Sequence, residues 1–451
     1  MPGTLVAMAE VTARRQHLRF CLVLHRVLAS DGGNTCFSPY SIASALGLAY
    51  QAARGNTAEE LRALLSGDEP DIAKQIELLA DAAVLDGAGG AGSASGGGQS
   101  LRPGQPPDTA QSLGPDEDVE DRASDADPDG EKPVLAVSNT LWAWDQLRIN
   151  EDFGADLAGW PGARLAYAPF VTDPEGARAA INADVAQTTR DLIPELVPEG
   201  AVTVDTVASL VNALYLKVAW RNPFAPAHTT DGVFHTPGGD RTVPMMRQVE
   251  QLGYAAADGW RAAVLPATGG VQAVILLPDA YPAAAAPDVA DASDAASASV
   301  PAEADAPGAA IAADMPAAEA TLDADTLAGL LDSVRTRRVS LRMPHVDVGM
   351  NVSLTSALDE LGVSELFTPA ADLSGLSDDP RLLVSDALHE AVLKVDEDGL
   401  EGAAATAMMI RLTSVTVEEP VSFVVDRPFL LLVRHATTGA VYFLARVTDP
   451  T

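Results

Sequence analysis

Lysine is scarce in this chain: four residues stand against 25 arginines among 451. Lys and Arg together number 29 and Asp and Glu 63, a formal net charge of −34. A field of that sign disfavours nucleic acid and anionic membrane as partners. Cysteine is limited to Cys21 and Cys36. Two thiols make no disulfide framework and fit a reducing compartment or plain buried packing. The seven histidines are scattered without metal-ligand spacing. No stretch reaches the length of an apolar membrane span. A signal peptide needs an unbroken apolar run near the start, and "ARRQHLRF" (Ala13–Phe20) breaks it. These absences lead to the expectation of a protein that is cytoplasmic, or released without a recognisable signal, and that uses no metal or other cofactor.

What is present is a large apolar fraction, 47%, in a chain long enough for one large domain or several smaller ones. Two tracts differ from the rest: Asp86–Lys132, rich in Gly, Ser and Asp, and Tyr281–Ala324, rich in Ala, Pro and Asp. Neither has the apolar periodicity that offsets ordering entropy, so both read as solvated acidic insertions. Together they hold about half of the net negative charge. Elsewhere "TAEELRALL" offers Thr57 and Glu60 as a capping box. "NVSLTSALDELGV" places Leu354, Leu358 and Leu361 on one helix face, with Gly362 as the stop. "LVNALYLKVAW", "VQAVILLP" and "VSLRMPHVDV" read as strands, and their continuous apolar runs predict cover on both faces. "PFLLLVRH" and "AVYFLARV", joined by "ATTG", predict a hairpin. Helices early and strands late favour an α+β fold.

Signals for catalysis are weak. "GAGGAG" (Gly87–Gly92) has a dinucleotide-binding spacing but lies in a Gly/Ser tract with no helix after it. "DEDG" at Asp396 lacks the later ligands of a calcium loop. His25 reads as a packed or surface histidine. Nothing pairs a nucleophile with a base, and no enzyme is expected.

The unusual stretch is "DEDGLEGAAATAMMIRLTSVTVEEP" (Asp396–Pro420). It alternates like a strand, yet its middle is too small to fill a core. Leu400, Gly402, Ala404, Thr406, Met408 and Ile410 would share one face. Glu401, Ala403, Ala405, Ala407, Met409 and Arg411 would share the other, which takes all the charge.

Four motifs in order resemble the serpin family: "NTCFSPYSIASALGLAYQAARGNTAEEL", "LVNALYLKVAWRNPF", "VSDALHEAVLKVDEDGLEGAAATA" and "FVVDRPFLLLV". The chain looks like a prokaryotic-type member carrying the two acidic insertions. The resemblance implies one serpin domain over 1–451, with three β-sheets, about eight to nine helices and an exposed reactive-centre loop at 397–417. It implies suicide inhibition of a serine endopeptidase, or alternatively a cysteine one. The protease cleaves the loop and is held as a covalent acyl complex while the loop inserts into the main sheet. The inhibitor itself would be a monomer.

The same resemblance assigns roles. Glu397, Gly399, Leu400, Glu401, Gly402, Ala403, Ala404, Ala405 and Thr406 form the hinge. The reactive bond falls at Thr413–Ser414, with Arg411 and Leu412 left open. Asn34, Ser38, Ser41, Asn212 and His389 match the polar shutter beneath the sheet. Trp220 and His345 match the breach where the loop enters. His345 stands where relatives often have lysine, so its pairing with Glu397 would depend on pH. Burying Leu400, Met408 and Ile410 would contribute about 1.5–3 kcal/mol each. A strand's worth of ladder bonds adds about 0.5–1.5 kcal/mol apiece, on the order of 10 kcal/mol in all.

Three departures bear on efficiency. Leu400 replaces a usual Thr or Ser, Gly402 a usual Ala, and Val218 a usual Gly. They keep open the alternative of a non-inhibitory serpin, a protease substrate or a binding or chaperone-like protein. The first insertion falls where many serpins carry a cofactor-binding helix, and its acidity argues against a heparin-like activator.

Overall fold

The computed structural model describes residues 2–67, 72–86, 133–153, 163–279, 315–379, 382–400 and 419–450. Residues 401–417 of the expected loop, and most of both low-complexity tracts including Gly87–Gly92, lie outside the described residues.

The described helices are α1 (Pro2–Leu28), α2 (Pro39–Ala52), α3 (Gly55–Ser66), α4 (Ala73–Asp81), α5 (Pro174–Thr188), α6 (Met315–Ala320), α7 (Ala324–Asp332) and α8 (Thr355–Glu360). The strands are β1 (Thr35–Phe37), β2 (Val134–Trp144), β3 (Ala163–Ala168), β4 (Ala208–Ala219), β5 (Thr230–Thr236), β6 (Gly239–Ala257), β7 (Trp260–Pro266) and β8 (Val271–Pro278). They continue with β9 (Arg335–Pro344), β10 (Val346–Ser353), β11 (Ala387–Val395), β12 (Gly399–Leu400), β13 (Val421–Val424), β14 (Phe429–His435) and β15 (Val441–Val447).

One sheet has the order β10-β11-β12-β4-β2-β3. The other runs β1-β15-β14-β8-β7-β6-β9-β13, with β5 on β6. Three sheets were the expectation, and among the described residues the strands join into two continuous ladders. The cause is β6, whose 19 residues serve β7 at one end and β5 at the other, with β9 between, joining two groups of strands. Of the strands expected to be covered on both faces, β4, β8, β14 and β15 are buried along almost their whole length, but "VSLRMPHVDV" is not: β9 and β10 alternate between buried and accessible residues, so each keeps one open face. Gly439, at φ 80°, closes the hairpin between them, where a side chain would be strained.

α2 lies beneath the six-stranded sheet and touches β4 and β2. Its start is set by Ser38, whose hydroxyl accepts from the Ser41 N–H, followed by Pro39. Nearly every residue of α2 is buried, so this helix is apolar all round rather than on one stripe.

Three sequence expectations are corrected. Thr57 and Glu60 form no capping box, because α3 begins at Gly55 and both side chains have distant partners. Thr57 donates to Glu365 and accepts from the Asp372 N–H, while Glu60 accepts from the Ser364 and Glu365 N–H groups. The leucine-faced helix is short, because 351–353 is claimed by β10 pairing with β11. The second tract was expected to extend to Ala324, but Met315–Ala320 is helical. There Met315, Ala318 and Leu322 are buried, and Glu319 bridges Arg446 at 3.0 Å and His25 at 2.9 Å. His25 is thus a core histidine.

A candidate hinge and insertion site between β11 and β4

β11 and β4 are neighbours at one end only. Ala387, Leu388 and His389 pair in parallel with Leu210, Val211 and Asn212. At the other end β12 stands between them: Leu400 pairs with Val395 on one side and Val218 on the other, and Gly399 pairs with Ala219. Residues 390–394 of β11 and 213–217 of β4 are not paired with each other. Among the described residues, the strands therefore flank a slot that is occupied at the top, unpaired in the middle and closed at the base.

The top is built by "DEDG", which acts as a tight turn. Asp396 N–H donates to the Gly399 carbonyl, and the Asp396 carboxylate accepts from the N–H groups of Asp398 and Gly399. Trp220, 2% exposed, donates from its indole to the Asp396 carbonyl and from its backbone to the Asp398 carbonyl. Phe224 N–H holds the Glu397 carbonyl at 2.9 Å. Leu400 is buried at 1% exposure, beside Val218 at 1%. Gly399 is confined: a Cβ there would press on the Val218 carbonyl oxygen and come within 2.8 Å of the Ala219 Cα.

His345 and Glu397 form an ion pair of 2.9 Å, and Thr229 donates to the other carboxylate oxygen at 2.5 Å. Burial pushes the Glu397 carboxyl up, but the hydrogen bonds from Thr229 and His345 outweigh it and hold the carboxyl below its usual range. Asp398 is raised, by burial first and then by the charges of Asp396 and Glu397.

At the base, Ser38, Ser41, Asn212 and His389 come together. The Ser38 N–H donates to His389 Nε2 at 3.0 Å, which leaves the imidazole proton on Nδ1. Asn212 Nδ2 donates to the Ser41 carbonyl at 2.9 Å and to Asn139 Oδ1. Burial lowers His389 to about 3, so it is neutral. Among the described residues, His389 Nδ1, Asn212 Oδ1 and Ser41 Oγ are buried without a partner. Two sequence assignments change here. Asn34 is not in this cluster: it is exposed, accepts from the Thr448 and Asp449 N–H groups and so pins the C-terminal segment. Asn139, on β2, is a buried member that the motifs did not mark, since a lone Asn in "AVSNTLWAW" carries no signal.

Of the hinge, Glu397, Gly399 and Leu400 are placed as described. Glu401, Gly402, Ala403, Ala404, Ala405 and Thr406, and the reactive bond Thr413–Ser414, lie outside the described residues.

The serpin (serine protease inhibitor) family model matches residues 15–290 and 307–450. Serpin-Z2A from Oryza sativa subsp. japonica is 31% identical, over 96% of this chain and 96% of its own length. The leukocyte elastase inhibitor of Sus scrofa is 29% identical over 96% of this chain and 98% of its own. The solved structure of uncleaved ovalbumin shares the fold, with a TM-score of 0.71 at 19% identity, over 96% of this chain and 99% of that one. The chain belongs to the serpin family, a family of protease inhibitors and not of enzymes. A prokaryotic type is not supported, since these relatives are from plant and animal, alongside a serpin-like protein of the archaeon Thermococcus kodakarensis.

Proposed function

We propose that this chain inhibits a serine endopeptidase by sacrificing the loop after Leu400. The protease serine attacks the Thr413 carbonyl, an ester forms, the Thr413–Ser414 amide breaks, and the Ser414 nitrogen leaves with a proton. The freed segment then enters the slot and carries the acylated protease with it. A cysteine protease would follow the same course through a thioester.

The slot carries this reading. Extending the Leu400 register places residues 401–405 opposite 394–390 of β11 and 217–213 of β4. Thr406 then falls opposite His389 and Asn212, the pair that closes the base. A threonine hydroxyl both donates and accepts, so it suits the unmet Nδ1–H of His389 and the unmet Oδ1 of Asn212. Leu400 also sets the parity. Its side chain is buried, so Gly402, Ala404, Thr406 and Met408 follow it inward. Because Leu400 is already buried, its share of the sequence-based sum is present before cleavage. The drive comes from the ladder bonds and from Met408 and Ile410.

Thr413 suits a small-pocket protease, and the pig relative is named for inhibiting leukocyte elastase. The substrate-like alternative rests on Leu400 and Val218, whose packing fills the top of the slot. A panel of serine proteases separates the two readings. An SDS-stable covalent band supports inhibition, and clean loop cleavage without one overturns it.

A further inference from the structure

We propose that the turn joining β14 to β15 is an acid-opened switch, closed at neutral pH by two imidazole acceptors, His435 and His17, and drawn open in acid by the Asp86 carboxylate. His435 closes the turn from within: the Thr438 N–H donates to His435 Nδ1 at 3.1 Å. His17, on α1, holds the far end: the Val441 N–H donates to His17 Nε2 at 2.9 Å. Only a ring nitrogen without a proton accepts such a bond, so both imidazoles serve the turn while neutral. Both are buried, and burial lowers both, His17 to about 4.

The two rings differ in their surroundings. His17 Nδ1 meets the Gln75 side chain of α4 at 3.0 Å, and its shift comes from burial, opposed by the Val441 bond. His435 faces carboxylates. With Nδ1 as acceptor its proton sits on Nε2, which is buried without a partner among the described residues. Gly270 makes the room: a Cβ there would stand 2.6 Å from Asp86 Oδ2 and 3.5 Å from His435 Nε2. Asp86 and Asp81 both favour the charged ring, and burial outweighs them. Around the same turn, Arg14 of α1 donates to the Thr437 carbonyl, and the Tyr442 hydroxyl donates to the Ala82 carbonyl. Arg434 precedes His435 in the strand and so points to the opposite face, toward Arg14 and Asp332.

Protonation therefore does two things at His435. It sets an Nδ1–H against the Thr438 N–H, two donors facing each other, and it gives the imidazolium the Asp86 carboxylate to turn to. At His17 it removes the acceptor for Val441 and with it one bond between α1 and the hairpin. Both folded values lie below the unfolded value near ~6.5, so closure is complete above that pH and is lost as pH falls. The hairpin belongs to the other sheet from the slot, so this switch works whether or not the loop inserts.

Hydrogen exchange at the Thr438 and Val441 amides, corrected for its intrinsic pH dependence, tests this in the unmodified protein between about pH 7.5 and 5. The expected result is a loss of protection of about tenfold at both amides, with the β2–β4 ladder unchanged. His435→Asn and His17→Gln each offer an amide oxygen near the lost ring nitrogen and cannot titrate, so each should flatten the response at its own amide. Asp86 is exposed, so Asp86→Asn leaves the core intact; it removes the attraction for the imidazolium and should move the loss at Thr438 to lower pH. A flat response in the unmodified protein overturns the proposal. So does a loss shared by the β2–β4 ladder, which is general unfolding, or an Asp86→Asn profile at Thr438 identical to that of the parent.

Discussion

The top and the base of the slot are held by different chemistry. At the top the bonds are mostly backbone: the turn at Asp396, the carbonyls held by Trp220 and Phe224, and the short strand β12. At the base they are side-chain bonds around a neutral buried histidine, and three polar atoms there lack partners among the described residues. Leaving a buried donor or acceptor unmet costs about 1–3 kcal/mol. The top is therefore a seat already filled, and the base is a set of contacts that a new strand would improve. Under the proposed insertion, that asymmetry would direct growth from Leu400 toward His389.

The largest effect should come from blocking growth between the two ends. Inserted in the proposed register, Ala404 would face Ala391 and Leu214, both buried. Ala404→Arg would place an unpaired charge there on insertion, at a cost of several kcal/mol. Stable protease complexes should disappear while the melting temperature of the intact protein stays the same; undiminished complex formation would refute the register.

Disturbing the filled seat comes next. Gly399→Val collides with the β4 backbone, which should expel β12 at a cost of about 2–3 kcal/mol. Trp220 then loses its partner, so its fluorescence should shift. Unchanged fluorescence and stability would mean that β12 is not a seat.

The base should respond to acid. Burial pushes His389 down to about 3; it also pushes His17, which lies on α1 away from the base and accepts from the Val441 N–H, down to about 4. Both folded values lie below the unfolded value near ~6.5, so the stability they contribute is complete above it and is lost as pH falls toward the folded values. Between pH 6.5 and 5 this amounts to about 2 kcal/mol for each histidine. Denaturant melts across that window should show the slope, and His389→Gln should remove its share.

The smallest effect belongs to the pair beside the seat. His345 and Thr229 both hold the Glu397 carboxylate, so replacing His345 alone should loosen the seat only slightly. On the acid side, the depressed Glu397 carboxyl contributes above its ordinary value, and that contribution is lost as pH falls through the folded one. The pair is partly exposed, 33% at His345, and is worth about 0–1 kcal/mol. Inhibition rates of the parent and of His345→Ala should differ by no more than a few-fold; a larger difference would mean that this pair gates loop entry.

Period and composition made much of this legible in the sequence. The strands at β8, β14 and β15 are continuous apolar runs that could only be core. The parity of Leu400 followed from alternation alone. Local rules failed where distant partners intervened. Thr57 and Glu60 have the spacing of a cap, but residues 364–372 take both side chains. Asn34 lies beside Ser38 in sequence yet serves the C-terminal segment. Asn139 enters the base through the β2–β4 register, which no local pattern encodes. That β12 is already seated was also not legible, since it depends on the fit of Gly399 against Val218.

Cutting the loop tests the central claim most directly. Limited proteolysis between Met408 and Val417, followed by a thermal melt of cut and intact protein, reads whether the slot fills. The account predicts a large rise in melting temperature, since a released strand gains ladder bonds at about 0.5–1.5 kcal/mol each and satisfies the groups at the base. Equal melting temperatures would contradict it and leave the substrate-like serpin as the better description.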